Sequence, residues 1–267
     1  MSDYAQALAH LQENVQTLCR SDAWKAALDY KAAFHQYSFN NCLLILSQNP
    51  RARQVAGYKK WQQLGRQVRK GEKGIMILAP VTRKMQDDDG EETWRLIGFR
   101  AVNVFDISQT DGDDPPETPA PKPLTADLPE IRAYTERLTA GLPSIGASLA
   151  ATEPPRGNGM YEPVTGYIYL RADLPPLHRL KTLVHEAAHA ILAHGPEGGR
   201  ETAELEAEST AYLVCAQLGL DTGDYSFAYL ANWSPTAEAI LEVGARVTRA
   251  AEQLTGLIEA PAQAAAA

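Results

Sequence analysis

The length, composition and charge of the chain exclude several classes of protein. With 267 residues, 45% of them hydrophobic and 22% charged, the sequence is typical of a two-domain globular protein and unlike a disordered chain. The net charge of −8 hides an asymmetry, because residues 1–86 hold 13 Lys and Arg against 5 Asp and Glu, whereas the remaining residues hold 12 against 28. A basic segment of this kind attracts polyanions even when the whole chain is acidic.

Cysteine usage and hydropathy narrow the setting further. The three cysteines are widely spaced and lack a CxxC pattern, which excludes a disulfide framework and a thiolate metal site. The longest apolar runs are too short to span a bilayer, and the first residues lack the features of a secretory signal. We therefore expect a cytoplasmic location and no membrane partner.

The first part of the chain reads as an α+β domain over residues 1–110. Apolar spacing and capping residues predict helices at 4–18, 23–35, 39–47 and 58–64, the third one capped by Ser38. Two strands, 75–78 and 94–99, follow and are joined through an acidic turn at 87–90.

The second part of the chain predicts a mainly helical domain with a small sheet. Residues 111–127, rich in Pro and Asp, are predicted to form an extended linker. The domain itself spans 128–258, with helices at 128–140, 177–194, 200–218 and 236–258 and a hairpin at 160–170. Residues 259–267 read as a disordered tail.

The string VHEAAHAI within the predicted helix 177–194 is an HExxH motif. His185 and His189, four residues apart, project from one helix face and can bind one Zn²⁺. Glu186 is the candidate general base, since zinc lowers the pKa of water to about 7. A zinc ion held only for stability is the alternative, but it would leave Glu186 without a task.

A peptidase zinc site needs a third protein ligand and one open position. On the predicted helix 200–218, Glu206 falls on the small and apolar face, where a lone carboxylate needs a cation. The other three glutamates fall mostly outside that face: Glu201, Glu204 and Glu208. Alternatively, all four form a solvated acidic face. His178 lies too far along the helix to share the ion, and His194 is interpreted as a surface residue at the helix end.

The segments HEAAHAILAH and ELEAESTAYLVCAQLGL resemble ImmA/IrrE-type zinc metallopeptidases, and more closely the C-terminal domain of ArdC-type antirestriction proteins. The resemblance covers about residues 128–245 and implies a zincin-like fold. It also implies that His185, His189 and Glu206 bind zinc and that Glu186 is the base.

The stretch between Arg51 and Lys84 contains ten basic residues and one acid. Tyr58 and Trp61 are interleaved with its basic residues, and aromatic faces that stack bases beside phosphate-binding cations are typical of single-strand binding. The candidate nucleic-acid-binding residues are Arg51, Arg53, Lys59, Lys60, Trp61, Arg66, Arg69, Lys70 and Lys73. Alternatively, the aromatic residues form a core face and the charges are merely solvated.

A second resemblance rests on the stretch from YSFNNCLLILSQNPRARQVAGYKKWQQLGRQVRKGEKG to IMILAPV and on VFDISQTDG, which follows it. These segments resemble the N-terminal single-stranded-DNA-binding domain of ArdC-type proteins. The same domain occurs on plasmid primases of the TraC type. The resemblance covers about residues 1–110 and implies single-stranded DNA as a partner.

Two functions follow as hypotheses. The first is a DNA-tethered zinc metallopeptidase of a mobile element, which acts on an unidentified protein or peptide and protects incoming DNA against restriction. The second is a non-catalytic protein that coats and protects single-stranded DNA and carries a structural zinc domain. A metal-dependent nuclease is disfavoured, because HExxH with a helical glutamate is the ligand set of peptidases.

Overall fold

The computed structural model describes residues 18, 21–34, 36–86, 92–113, 129–195, 199–220 and 236–260, which form an α+β structure as predicted. The predicted helix at 4–18 apart from Leu18, most of the predicted linker at 111–127 and most of the tail at 259–267 lie outside these ranges. Within the described ranges, no helix has both the length and the apolar character needed to cross a bilayer.

The helices end within three residues of their predicted bounds. In chain order they are α1 (Ser21–Ala33), α2 (Phe39–Gln48), α3 (Tyr58–Gln63), α4 (Pro129–Gly141), α5 (Pro176–Ile191), α6 (Arg200–Gln217) and α7 (Ala237–Glu259). The strands are β1 (Val55–Gly57), β2 (Arg66–Val68), β3 (Ile75–Gln86), β4 (Glu92–Asp106), β5 (Thr110–Gly112), β6 (Ser148–Leu149), β7 (Gly159–Glu162) and β8 (Tyr167–Leu170).

Contacts divide the described chain into two compact units. The first unit is drawn from residues 36–113 and the second from residues 18–34 and 129–260. The first contains an antiparallel sheet in the order β1-β4-β3 and the pair β2-β5, and the second contains a sheet in the order β6-β8-β7. The predicted hairpin at 160–170 is confirmed, because β7 and β8 pair antiparallel.

Helix α2 covers the outer edge of β3 in the first unit. Ser38 caps this helix as predicted and accepts a hydrogen bond from the backbone N–H of Asn41. The side-chain amide of Asn41 exchanges two 2.9 Å hydrogen bonds with the backbone of Leu78, and that of Gln48 pairs in the same way with Met76. These amides occupy backbone groups that an edge strand would otherwise present for pairing with another chain.

The second unit is a helical cluster around α5 and α6. Helix α5 contacts α4, α6 and α7, while β7 and β8 pack on it from the sheet side. Its buried side is apolar, with Leu180, Leu183 and Val184 each 0% exposed. This packing fixes the orientation of the HExxH motif within the unit.

Helix α1 falls within the predicted domain at 1–110, but its contacts group it with the second unit. Trp24, Ala27 and Leu28 are 0% exposed, and helix α1 packs on α6. The indole Nε1 of Trp24 donates a 2.8 Å hydrogen bond to Oγ of Ser209 on α6. Burial of this apolar face against α6 is what assigns the helix to the C-terminal unit.

Candidate functional site

The two motif histidines on α5 meet at one point. The Nε2 atoms of His185 and His189 lie 3.2 Å apart, and the ring planes are inclined by 74°. Each imidazole therefore directs one nitrogen to the same small volume, as expected for helical residues four apart.

The third member of the cluster is Glu204 on α6. Its Oε2 lies 3.5 Å from Nε2 of His185 and 3.8 Å from Nε2 of His189. Two ligand atoms held about 2.1 Å from one ion at a tetrahedral angle are about 3.4 Å apart. The two imidazoles and this carboxylate therefore fit a single divalent ion, and one ligand atom from each of them lies within 4.8 Å of the others.

Glu206, the sequence-predicted ligand, lies elsewhere, and that prediction needs correction. Its Oε1 accepts a 2.7 Å hydrogen bond from Nε of Arg246, and its Oε2 lies 2.7 Å from Nε2 of His194. Glu206 is 3% exposed and does meet a cation, as expected for a buried carboxylate. The cation that Glu206 meets is the guanidinium of Arg246 on α7.

His194 also differs from its interpretation as a surface residue. Helix α5 ends at Ile191 rather than at residue 194, and the chain then turns back through Ala193. This turn leaves the side chain of His194 only 10% exposed. Its Nδ1 lies 2.9 Å from Nδ1 of His189, on the side of that ring facing away from Glu204.

Glu186 is buried beside the cluster. Burial is the main cause that raises its pKa to about 7, with a further contribution from the charge of Glu204. Its carboxylate also accepts a hydrogen bond from the backbone N–H of Tyr161 on β7. A carboxyl group with a pKa near 7 can both accept and donate a proton at neutral pH.

Gly159 on β7 leaves the space that Glu186 occupies. A Cβ atom at position 159 would lie 2.8 Å from Oε1 of Glu186 and 2.5 Å from Cγ2 of Thr182. Any side chain there would displace the carboxylate. Glycine at position 159 therefore leaves the room that the carboxylate of Glu186 needs in the site.

The histidines of the cluster have pKa values shifted in opposite directions. Burial, reinforced by the neighbouring His185, lowers the pKa of His189 to about 4. Burial acts in the same direction on His185, but Glu204 and nearby carboxylates outweigh it and raise the pKa. The hydrogen bond with His185 is in turn the largest cause of the lowered pKa of Glu204. Metal ions bind neutral imidazoles and ionised carboxylates, so the raised pKa of His185 would make metal affinity depend on pH.

Glu208 lies one turn beyond Glu204 on α6. Its Oε2 is buried and has no hydrogen-bond partner within the described part of the chain. Burial raises the pKa of this carboxyl group, while the charge of His185 lowers it. A buried carboxylate oxygen without a partner, one turn from a candidate ligand, is a further feature that suits a nearby cation.

Most of the predicted nucleic-acid-binding residues lie on the surface of the first unit. Exposed basic side chains from the set are Arg51, Arg53, Lys59, Lys60, Arg69, Lys70 and Lys73. Arg69 is already engaged by Glu72 and Asp111, at 2.7 and 3.2 Å. Tyr58 is 43% exposed and lines an open cavity of about 590 Å³ together with Lys70.

Two of the predicted nucleic-acid contacts are wrong. Trp61 is 0% exposed, and its Nε1 donates a 2.8 Å hydrogen bond to the backbone carbonyl of Phe105, so its ring cannot stack on a base. Arg66 is 8% exposed and donates to Thr110 and to the carbonyl of Gly112. Both side chains stabilise the unit from within.

A feature that the sequence analysis did not single out is the ribbon formed by the outer halves of β3 and β4. Its exposed apolar residues are Met85, Trp94, Leu96, Ile97 and Phe99. Its exposed arginines are Arg83, Arg95 and Arg100, none of which has an ion-pair partner among the described residues. The pairing register places Trp94 opposite Lys84 and Arg83 opposite Arg95, so aromatic and arginine side chains occupy opposite faces. Alternation of this kind is visible in the sequence, but only the exposure of these side chains in the structure identifies the ribbon as a surface.

One domain family and several proteins are similar to this chain. The domain family described as the N-terminal domain of anti-restriction factor ArdC matches residues 6–105. An uncharacterized protein of Bacillus anthracis is 26% identical over 271 residues, covering 86% of this chain and 46% of that protein. An uncharacterized protein of Sinorhizobium fredii is 28% identical over 199 residues, covering 66% of this chain and 61% of that protein. The chain thus spans about half the length of these relatives.

Two crystal structures of the antirestriction protein ArdC from plasmid R388 are similar across both units. The metal-free structure is 26% identical with a TM-score of 0.56, covering 83% of this chain and 85% of that one. The Mn(II)-bound structure is 24% identical with a TM-score of 0.55, covering 84% and 86%. Together with the match of residues 6–105 to the ArdC N-terminal domain, these similarities show that the chain resembles ArdC-type antirestriction proteins.

Proposed function

We propose that this protein protects incoming DNA through two activities: it binds single-stranded DNA through its first unit and hydrolyses peptide bonds at a divalent metal ion in its second. The observation that carries the proposal is the convergence of His185, His189 and Glu204 beside Glu186, whose pKa is raised to about 7. Three protein ligands and a buried base are the arrangement of a catalytic rather than a structural site.

Zinc is the metal that we propose, because two imidazoles and one carboxylate are a donor set that Zn²⁺ binds well. The Mn(II)-bound relative makes Mn²⁺ the ion to compare with it. The test is metal content after dialysis and loading with either ion. We expect stoichiometric metal that is lost in His185→Ala and Glu204→Gln. Glu201→Gln, an exposed position on the same helix, is the matched control.

Peptide hydrolysis would then depend on the bound ion and on Glu186 as the base. When bound, the ion supplies Lewis-acid chemistry, which lowers the pKa of water and polarises a peptide carbonyl. Glu186 accepts the proton of the attacking water and returns it to the leaving amine, as its pKa of about 7 allows.

Strand β7 would hold the substrate backbone beside this base. It is an outer strand of its sheet among the described residues, whereas β8 lies in the centre. The carbonyls of Asn158 and Glu162 accept hydrogen bonds on the β8 side, so the backbone groups of Gly159 face the outer edge. An extended peptide can pair along such an edge.

The base itself is tested with Glu186→Gln. Against a peptide library prepared from a bacterial proteome, with cleavage read by mass spectrometry, the variant should lose cleavage. It should retain metal and affinity for fluorescein-labelled oligo(dT). Loss of metal in this variant would contradict its assignment as a base that does not bind the ion.

The exposed cations and aromatic rings of the first unit support single-stranded DNA as its ligand. Tyr58, Trp94 and Phe99 offer ring faces for base stacking, while lysines such as Lys59 and Lys60 can neutralise phosphates. Replacing Lys59 and Lys60 by Gln should weaken oligo(dT) binding and reduce the salt slope by about 0.7 for each lost contact.

A second candidate function is favoured by one observation: Oε2 of Glu208 is buried and has no hydrogen-bond partner among the described residues. If this oxygen were a fourth ligand, the site would be closed and the metal structural, leaving a protein that protects DNA by binding alone. Glu208→Gln separates the two functions. Metal loss as severe as in Glu204→Gln supports the closed site, whereas retained metal supports the peptidase.

A further inference from the structure

The turn that follows α5 places His194 against the back of His189. Ala193 adopts a left-handed conformation with φ of 55°, the one non-glycine residue with positive φ in the described chain. The backbone N–H of His194 donates to the carbonyl of His189 at 3.0 Å, and that of Ala193 to Ala190 at 3.1 Å. These two bonds form a Schellman turn, which usually requires Gly at the left-handed position. The chain adopts the turn without it.

A continuous series of side-chain contacts runs from this turn to α7. Nδ1 of His189 lies 2.9 Å from Nδ1 of His194, and Nε2 of His194 lies 2.7 Å from Oε2 of Glu206. Arg246 donates to both carboxylate oxygens, at 2.7 and 3.1 Å, and also donates to the carbonyl of Leu192 at 3.1 Å. The series therefore connects the end of α5, α6 and α7 behind one candidate ligand.

The direction of each hydrogen bond follows from the ion pair between Glu206 and Arg246. A carboxylate that receives the guanidinium of Arg246 can only accept, so His194 donates to it through Nε2–H. Nδ1 of His194 then carries a lone pair and accepts from Nδ1–H of His189. This places the lone pair of His189 on Nε2, the atom that faces His185 and Glu204.

The opposite assignment would prevent metal binding. A proton on Nδ1 of His194 would make that nitrogen the donor, and the proton of His189 would have to lie on Nε2. That atom could then bind no ion. The tautomer that the contacts favour and the tautomer that a metal ion needs are therefore the same.

We propose that His194, Glu206 and Arg246 are positioning residues, which fix the tautomer and ring orientation of His189 for the divalent ion. The proposal rests on the metal site proposed above and deepens it. It gives Glu206 a role different from that of a ligand, although it lies only two residues from Glu204. Outer partners of metal-bound histidines act in this way in many sites, and their loss lowers affinity about 10-fold to 100-fold.

The test is Zn²⁺ affinity measured by competition with a chromophoric chelator, on the full chain. His194→Ala, Glu206→Gln and Arg246→Gln should each weaken affinity about 10-fold to 100-fold. Arg249→Gln changes an exposed arginine of the same helix and should leave affinity unchanged. Circular dichroism of each variant establishes that it is folded.

A second readout separates positioning from a general structural role. Long-range ¹H–¹⁵N NMR of the histidine rings, without added metal, should show the proton of His189 on Nδ1 in the parent protein. In His194→Ala the same ring should populate both tautomers. Ala193→Gly, which suits the left-handed turn, should preserve the parent tautomer and affinity.

The outcomes distinguish the positioning role from the proposed metal site on which it rests. If His185→Ala and Glu204→Gln retain metal, the proposed site itself fails. If those variants lose metal but His194→Ala changes neither affinity nor tautomer, only the positioning role is overturned. If Glu206→Gln removes metal as completely as Glu204→Gln, then Glu206 is a ligand and its proposed positioning role is wrong.

Discussion

Replacing Trp24 tests whether α1 belongs to the C-terminal unit. The side chain is 0% exposed and its Nε1 bonds to Ser209, which is itself 0% exposed. A tryptophan buries about 150–250 Å², which at about 25 cal/mol per Å² corresponds to about 4–6 kcal/mol. Measured Trp→Ala changes in cores, about 3–5 kcal/mol, are of the same size. We therefore expect Trp24→Ala to destabilise the second unit severely and Trp24→Phe to cost about 1–3 kcal/mol, mainly through the hydroxyl group left unpaired.

Hydrogen exchange read by mass spectrometry assigns this loss to one unit. A local loss of about 3 kcal/mol should accelerate exchange of α6 amides by about 100-fold, while amides of α2 and β3 keep their protection. Ala33→Ser, an exposed change on the same helix, should leave both regions unaffected. Faster exchange in α2 and β3 instead of α6 would refute the assignment of α1.

Three further variants test other parts of the structure. The pKa of Asp106 is lowered: burial alone would raise it, but hydrogen bonds from Ser108 and backbone N–H groups outweigh that effect. The folded-state pKa is thus below the unfolded value, so the stabilisation is present at neutral pH and is lost as the pH falls through the folded pKa. Asp106→Asn should lose about 1.5–3 kcal/mol at pH 7 and show a weaker loss of stability in acid, measured by urea unfolding across pH. Gly159→Ala should reduce peptide cleavage about 100-fold, because its Cβ displaces Glu186, while metal content stays unchanged. Trp94→Ala should weaken oligo(dT) binding by about 1–3 kcal/mol without changing the salt slope, and Met85→Ala on the opposite face should have no effect.

Local rules predict the secondary structure well because its signals are local. The N-cap at Ser38 and the turn between β7 and β8 depend on residues within a few positions, and both are present. The packing of α1 depends on Trp24 meeting Ser209, 185 positions away. No periodicity within α1 specifies which unit its apolar face will cover.

Residue type also leaves two roles open for aromatic and basic side chains. Trp61 and Arg66 lie in a basic, aromatic stretch typical of nucleic-acid binding, yet both are buried and hydrogen-bonded within the first unit. Lys59 and Lys60, in the same stretch, are exposed. Only tertiary packing decides between the roles, so the sequence indicates the region and not its contacts.

The choice between Glu204 and Glu206 is the clearest case of this limit. Two residues apart on a helix, they point about 200° apart, so both cannot face the same atom. Yet each reaches a different side of His189: Glu204 approaches Nε2 directly, and Glu206 reaches Nδ1 through His194. Helix α6 can act on both sides of one imidazole because Ala193 turns the chain back after α5. A helical wheel of α6 shows neither that turn nor Arg246. The wheel therefore predicts that the buried carboxylate of Glu206 binds the metal, whereas its cation is Arg246, 40 positions away.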